Sequence, residues 1–202
     1  MTIAKNRSMT LEEYLTYDDG TDARYELIDG ILVDMGAEAD INIVIGSFLF
    51  SIFLQFAPHY CIRKGTEIAI TGSSNANTRI PDLMVLTEEG AAALAGKSRS
   101  MIMLEMPGPA LVIEVVSSSN TNRESRERDY TRKREEYAAR GISEYWIVDP
   151  IEQVVWVLTL SDQNYIEEKF TGDNLLRSSY FPQLKLSANK VLTGGVSTDS
   201  SR

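Results

Sequence analysis

The chain has almost none of the residues that carry sulfur or imidazole chemistry. Among 202 residues there is one cysteine, Cys61, and one histidine, His59. A single cysteine excludes an internal disulfide and fits a reducing compartment, so a cytoplasmic location is expected. One cysteine and one histidine cannot build the usual zinc sites, and His59, directly after Pro58, reads as a surface residue. Long apolar runs are missing too. The longest stretch, residues 41–57, is broken by Asn42, Gly46, Ser47, Ser51 and Gln55. A membrane span needs about 20 predominantly apolar residues, so none is predicted. No apolar run follows the basic residues of the first ten positions, so a signal peptide is not expected. Net positive charge is absent: the formal charge is −9, which counts against a general nucleic-acid binder. There is no internal repeat, P-loop, GxGxxG or GxSxG.

What is present is an ordinary globular mixture, 43% hydrophobic and 24% charged, long enough for one well-buried domain. A single domain over residues 1–192 is expected, with the small, polar residues 193–202 as a loose tail. Charge is unevenly placed. Residues 123–140 hold seven basic and five acidic side chains, leaving a net of −11 on the remainder.

Thr10-Leu11-Glu12-Glu13 has the form of a capping box opening a short helix to about Tyr17. Asp29-Gly30 between two apolar runs signals a hairpin. Residues 39–57 read as a helix apolar around most of its circumference, which demands burial between layers or against a second subunit. Strands are expected at 61–70, 82–86, 110–116, 144–148, 154–160 and 165–170. Thr71–Arg79 reads as a loop. Thr87 would cap a short alanine-rich helix, and Gly141 would end a charged helix over 123–140.

Three residues stand out against this pattern. Glu114 interrupts Leu111-Val112-Ile113-Glu114-Val115-Val116, a run that reads as a central strand covered on both faces. Burying its charge costs several kcal/mol unless a metal ion or a cation compensates. An arginine partner is the plainer explanation. Asp82 follows Pro81 at the entry to another apolar strand, where a turn aspartate bonded to its own backbone is the common alternative. Two carboxylates on neighbouring strand ends would form a hard oxygen site suited to Mg²⁺ or Mn²⁺. Lys133 is the third. On a helical wheel it shares an arc of about 100° with Arg126, Asp129, Tyr130 and Tyr137, and the tyrosines mark that arc as the packed one. Arg128, Arg132, Glu135 and Glu136 lie opposite. Snorkelling along the tyrosines would also explain Lys133. Glu26, inside the apolar hairpin, is a further candidate acidic ligand or an ion-pair partner.

Several segments, taken in order, resemble the Uma2 family (DUF820), which is abundant in cyanobacteria and similar in fold to restriction endonucleases. They are Met9–Leu15, Tyr25–Gly30, Pro81–Val85, Leu111–Ser117, Asp129 with Lys133 and Tyr137, and Gly141–Pro150. The resemblance implies an α/β (α+β) restriction-endonuclease-like core: a central mixed sheet flanked by helices, with an N-terminal helix and hairpin as an extension. It implies core elements in the order helix 39–57, strands 61–70, 82–86 and 110–116, helix 123–140, strand 144–148. Asp82 and Glu114 would stand where metal-binding carboxylates stand. The lysine usual two residues beyond the glutamate is Val116 here, and the resemblance points to Lys133 for that ammonium. Asn42 lies near a position where many relatives carry histidine.

The implied activity is metal-dependent hydrolysis of a DNA phosphodiester. Asp82, Glu114, Lys133 and Glu26 would be the catalytic set, with Asp129, Tyr137 and Asn42 secondary and Arg123 and Arg126 contacting phosphates. Two rivals are open: a nuclease-like interaction module or accessory protein that cuts nothing, and a structural homodimer with paired carboxylates. A homodimer through helix 39–57 is expected in every case.

Overall fold

The computed structural model describes residues 8–71, 76–116 and 128–196. The N-terminal extension is built as its local signals require. Thr10 caps α1 (Leu11–Leu15) in a complete capping box. Strands β1 (Tyr25–Ile28) and β2 (Ile31–Asp34) then pair antiparallel around Asp29 and Gly30, whose φ values of 52° and 80° are those of the tight two-residue turn.

Helix α2 (Asp40–Phe53) follows, and after it the strand expected over 61–70 divides in two. Gly65, at φ 72°, turns the chain between β3 (Ile62–Arg63) and β4 (Glu67–Thr71). The two halves join different sheets. Strands β5 (Ala76–Arg79) and β6 (Leu83–Val85) come next, then α3 (Glu88–Leu94), capped by Thr87. Strands β7 (Met101–Ile102) and β8 (Leu111–Val115) precede a π-helical turn, Arg128–Arg132, that runs into α4 (Lys133–Ala139). Gly141 closes α4 at φ 76°. Strands β9 (Glu144–Asp149), β10 (Val154–Ser161) and β11 (Asn164–Phe170) form a meander, and α5 (Ala188–Leu192) ends the series.

The main sheet has the order β11-β10-β9-β8-β6-β3, parallel only between β8 and β9. A smaller sheet, β5-β4-β7, lies beside it, with β4 and β7 parallel. Side chains alternate across the main sheet and feed two cores. Leu111, Ile113 and Val115 of β8 pack with Ile45, Leu49 and Phe53 of α2, together with Phe181 and Val191. Val112 and Val116 face the opposite way, with Tyr137 of α4 and Met84 of β6. All five residues of β8 are buried, as a strand covered on both faces requires.

Much of the apolar girth of α2 is covered within one chain. One side meets the sheet, and the segment after α5 covers Val44 and Phe48 with Gly194 and Gly195. The loose tail expected from residue 193 therefore starts later. Thr193 and Gly195 bond back to Asn189 and Lys190, and only residues 197–202 lie outside the described part. The loop expected over Thr71–Arg79 is corrected as well, since Ala76–Arg79 is a strand paired with β4. No helix among the described residues is long and apolar enough to cross a membrane.

Candidate functional site

Glu114 sits near the end of a buried strand, and alternation turns it to the α4 face with Val112 and Val116. Two side chains of α4 meet it there. Lys133 Nζ lies 2.9 Å from its Oε2, and the Tyr137 hydroxyl donates to its Oε1 at 2.6 Å. Lys133 and Tyr137 are four residues apart, one above the other on a helix face. Lys133 is 4% exposed and Tyr137 fully buried, so the ammonium is not snorkelling into water. Burial, and next the Glu114 charge, raise the Tyr137 pKa well above that of an ordinary phenol, which keeps it a proton donor.

Asp82 enters from the start of β6. Its Oδ2 accepts the backbone N–H of Val115 at 2.6 Å, the peptide immediately after Glu114. The two carboxylates are thus brought to neighbouring strand ends. Burial raises the Asp82 pKa well above the ordinary carboxylate value, and the Glu114 charge and a hydrogen bond with Glu38 add to the rise. The Val115 N–H and the Lys133 charge oppose it without reversing it. Glu38, just ahead of α2, carried no signal in the sequence because an exposed glutamate before a helix is unremarkable.

Asn42 reaches the next peptide, between Val115 and Val116, from α2. Its Nδ2 donates to the Val115 carbonyl at 3.1 Å, while its Oδ1 is buried with no partner among the described residues. Side chains from β6 and α2 therefore hold both the N–H and the C=O of Val115. Beyond burial, the Glu114 charge pushes Asp82 towards its neutral form, a repulsion that a divalent cation would relieve. No group of three His, Cys, Asp or Glu side chains that could hold a metal occurs among the described residues. Two carboxylates are enough for Mg²⁺, which usually keeps several waters and is completed by substrate phosphates. The donor set fits on those terms.

The remaining candidates fall elsewhere. Glu26 does not join this cluster. Its Oε2 accepts from Arg79 at 2.8 Å and its Oε1 from the Ile80 N–H at 3.0 Å, so every contact shown is structural. Glu136 and Arg132, expected on the solvent arc of α4, instead bond to each other, and Glu136 also binds Arg79. The smaller sheet covers that flank of the helix, and the π-turn shifts the phase of residues ahead of Lys133. Arg123, Arg126 and the side chain of Asp129 lie outside the described residues.

The comparisons bear on the family and the fold. The model of the Uma2 family, described as "Putative restriction endonuclease", matches residues 11–189. A crystal structure described as a "putative nuclease belonging to DUF820" from Anabaena variabilis ATCC 29413 superposes with a TM-score of 0.67. It shares 19% sequence identity, and the match covers 93% of this chain and 99% of that one. At that identity the likeness speaks for the fold. No curated protein matches.

Proposed function

The chain belongs to the Uma2 family, and from that premise we propose that it is a divalent-metal-dependent endonuclease acting on DNA, with Asp82, Glu114 and Lys133 as its catalytic residues. One observation carries this reading: Asp82, Glu114 and Lys133 come from three separate elements and converge on a single strand end.

A carboxylate pair with one ammonium, two of the three buried, is expensive to maintain for stability alone. It is what a phosphodiester hydrolase needs. Asp82 and Glu114 would hold Mg²⁺ or Mn²⁺. The bound cation supplies Lewis-acid polarisation of the phosphate and a more acidic water. Lys133 donates to the attacking water or to the charge developing on the phosphate, from a site already shielded from solvent. Tyr137 holds Glu114 in orientation, as the groups behind metal ligands commonly do. Asp82 and Asn42 together fix the two peptides that flank Val115, the first of which joins it to Glu114. Arg123 and Arg126 are assigned to backbone phosphates.

A homodimer through α2 is part of the proposal. Ile43 on α2 and Leu54 just after it remain exposed, and light scattering that gave a monomer at micromolar concentration would remove this part alone. A second reading, a nuclease-like module that binds a protein partner, draws on the net charge of −9.

The test is calorimetric titration with Mn²⁺, on the wild-type protein and on Asp82→Ala, with cleavage of supercoiled plasmid followed in parallel. Binding and cutting that both vanish in the variant support the nuclease. A wild-type protein that binds no Mn²⁺ leaves the carboxylates structural and favours the binding module.

A further inference from the structure

Buried ion pairs seldom raise stability, and apolar residues of similar volume often do as well or better. This chain nevertheless buries a second group of charges beside the candidate site. Arg79 and Glu26 are fully buried and Glu136 nearly so. Arg79 uses its whole guanidinium: Nη1 donates to Glu26 Oε2 at 2.8 Å, Nε to Glu136 Oε2 at 2.7 Å and Nη2 to Glu136 Oε1 at 2.9 Å. The opposite sides of both carboxylates are also engaged. Glu26 Oε1 accepts the Ile80 N–H, and Glu136 Oε1 accepts from Asn77 and Arg132.

The chain positions of these residues give the cluster its meaning. Arg79 precedes Asp82 by three residues, across Ile80 and Pro81, which limits their separation to about 10 Å. Glu136 follows Lys133 by three residues, one turn along the same helix face, and is next to Tyr137. Asp82 and Lys133 come from separate elements, yet both must be set against Glu114. The guanidinium of Arg79 bridges the strand that leads to Asp82 and the helix that carries Lys133. A bidentate, planar contact sets direction as well as distance, which a lysine could not reproduce. Glu26 holds the far side of Arg79 and pins the peptide at Ile80, just before Pro81 and Asp82.

We infer that Arg79, held by Glu26 and clamped to Glu136, is a positioning residue that sets Lys133 against Asp82 and Glu114. This rests on the nuclease reading and deepens it: Glu26 acts two contacts away from the reacting atoms, through Arg79.

A double-mutant cycle tests this. Arg79→Lys is made in the wild-type protein and in Lys133→Met, and single-turnover nicking of supercoiled plasmid is measured with Mn²⁺. In the wild-type background Arg79→Lys should lower kcat by about 10–100-fold, with KM for plasmid held within about twofold. In the Lys133→Met background the further loss should shrink below about threefold, because the residue being positioned is gone. Equal losses in the two backgrounds would mean general damage and overturn the inference. So would a folded Arg79→Lys that cuts at the wild-type rate. If thermal melting shows that Arg79→Lys does not fold, Glu26→Gln takes its place in the cycle, since its amide oxygen still accepts the Ile80 N–H. Failure of the wild-type protein to cut with Mn²⁺ overturns the nuclease reading and this inference with it. Cutting with additive losses overturns the inference alone.

Discussion

Two clusters of buried charge flank one turn of α4, and they are finished differently. Around Arg79, donors and acceptors are matched: three nitrogens of one guanidinium meet two carboxylates, and each carboxylate also accepts from a neighbouring peptide or side chain. Burial works against the Arg79 charge, but Glu26 and Glu136 more than offset it, and its pKa ends raised. Around Glu114 the balance is poorer. Asp82 is forced towards its neutral form by burial and by Glu114, and Asn42 keeps a buried oxygen without a partner among the described residues. Completed charge networks specify geometry, whereas a carboxyl pushed towards neutrality by burial and a like charge is a place where a cation can act.

The sharpest way to break the contrast is to leave each cluster half-made. Arg79→Met strands two buried carboxylates and should cost about 3–5 kcal/mol, seen as a lowered urea midpoint with little change in slope. Replacing Glu26, Arg79 and Glu136 together by apolar residues of similar volume should restore most of that loss, while cleavage stays low because the bridge is gone. A triple variant as unstable as Arg79→Met would show that the network supplies stability rather than geometry.

In the other cluster the large effect falls on rate. Lys133→Met should lower the rate of plasmid cleavage by about 10²–10³-fold, with a smaller change in unfolding midpoint than Arg79→Met. Arg132→Met, one residue away but bonded to half-exposed Asp29 and to Glu136, should lose far less activity. Comparable rates for the two variants would remove Lys133 from the chemistry. Tyr137→Phe comes next. It deletes one hydrogen bond to a buried carboxylate and should destabilise by about 1.5–3 kcal/mol, measured by denaturant unfolding.

The contrast also explains what could be read from the chain. Elements whose code is local were legible. The Asp29-Gly30 turn, the Thr10 and Thr87 caps and the Gly141 stop each need only a few adjacent residues. Glu114 announced itself because a charge inside an apolar strand breaks binary patterning, and Lys133 because two tyrosines mark its arc. Strand β5 was missed for the opposite reason. Ala76-Asn77-Thr78-Arg79 has the composition of a loop, yet Asn77, Thr78 and Arg79 are all buried. Thr78 accepts the Leu27 N–H, and Asn77 accepts the Asp29 N–H while donating to Glu136. Polar side chains that satisfy distant partners cannot be distinguished from solvent-facing ones without those partners in view. The same limit hid Arg79 and left Glu26 open between a ligand and an ion-pair partner.

The smallest effect has the opposite sign and comes from Asp82. Its folded-state pKa is raised above the unfolded value, so the folded protein holds this proton more tightly than the unfolded chain does. At acid pH, below the unfolded value near 4, both states are protonated and the residue costs nothing electrostatically. As pH rises, the unfolded chain ionises first and is favoured, and the penalty on folding grows until the folded carboxyl ionises too. Asp82→Asn removes the titration but keeps an oxygen for the Val115 N–H. It should therefore melt a few degrees above the wild-type protein at pH 7 without metal, and the gap should close as the pH falls towards 4. Saturating Mn²⁺ should reverse the order, because a ligand that binds only the folded wild-type protein stabilises it by mass action. An Asp82→Asn protein less stable than wild type at neutral pH without metal would show that the carboxylate is paid for by its present neighbours and is not poised for a cation.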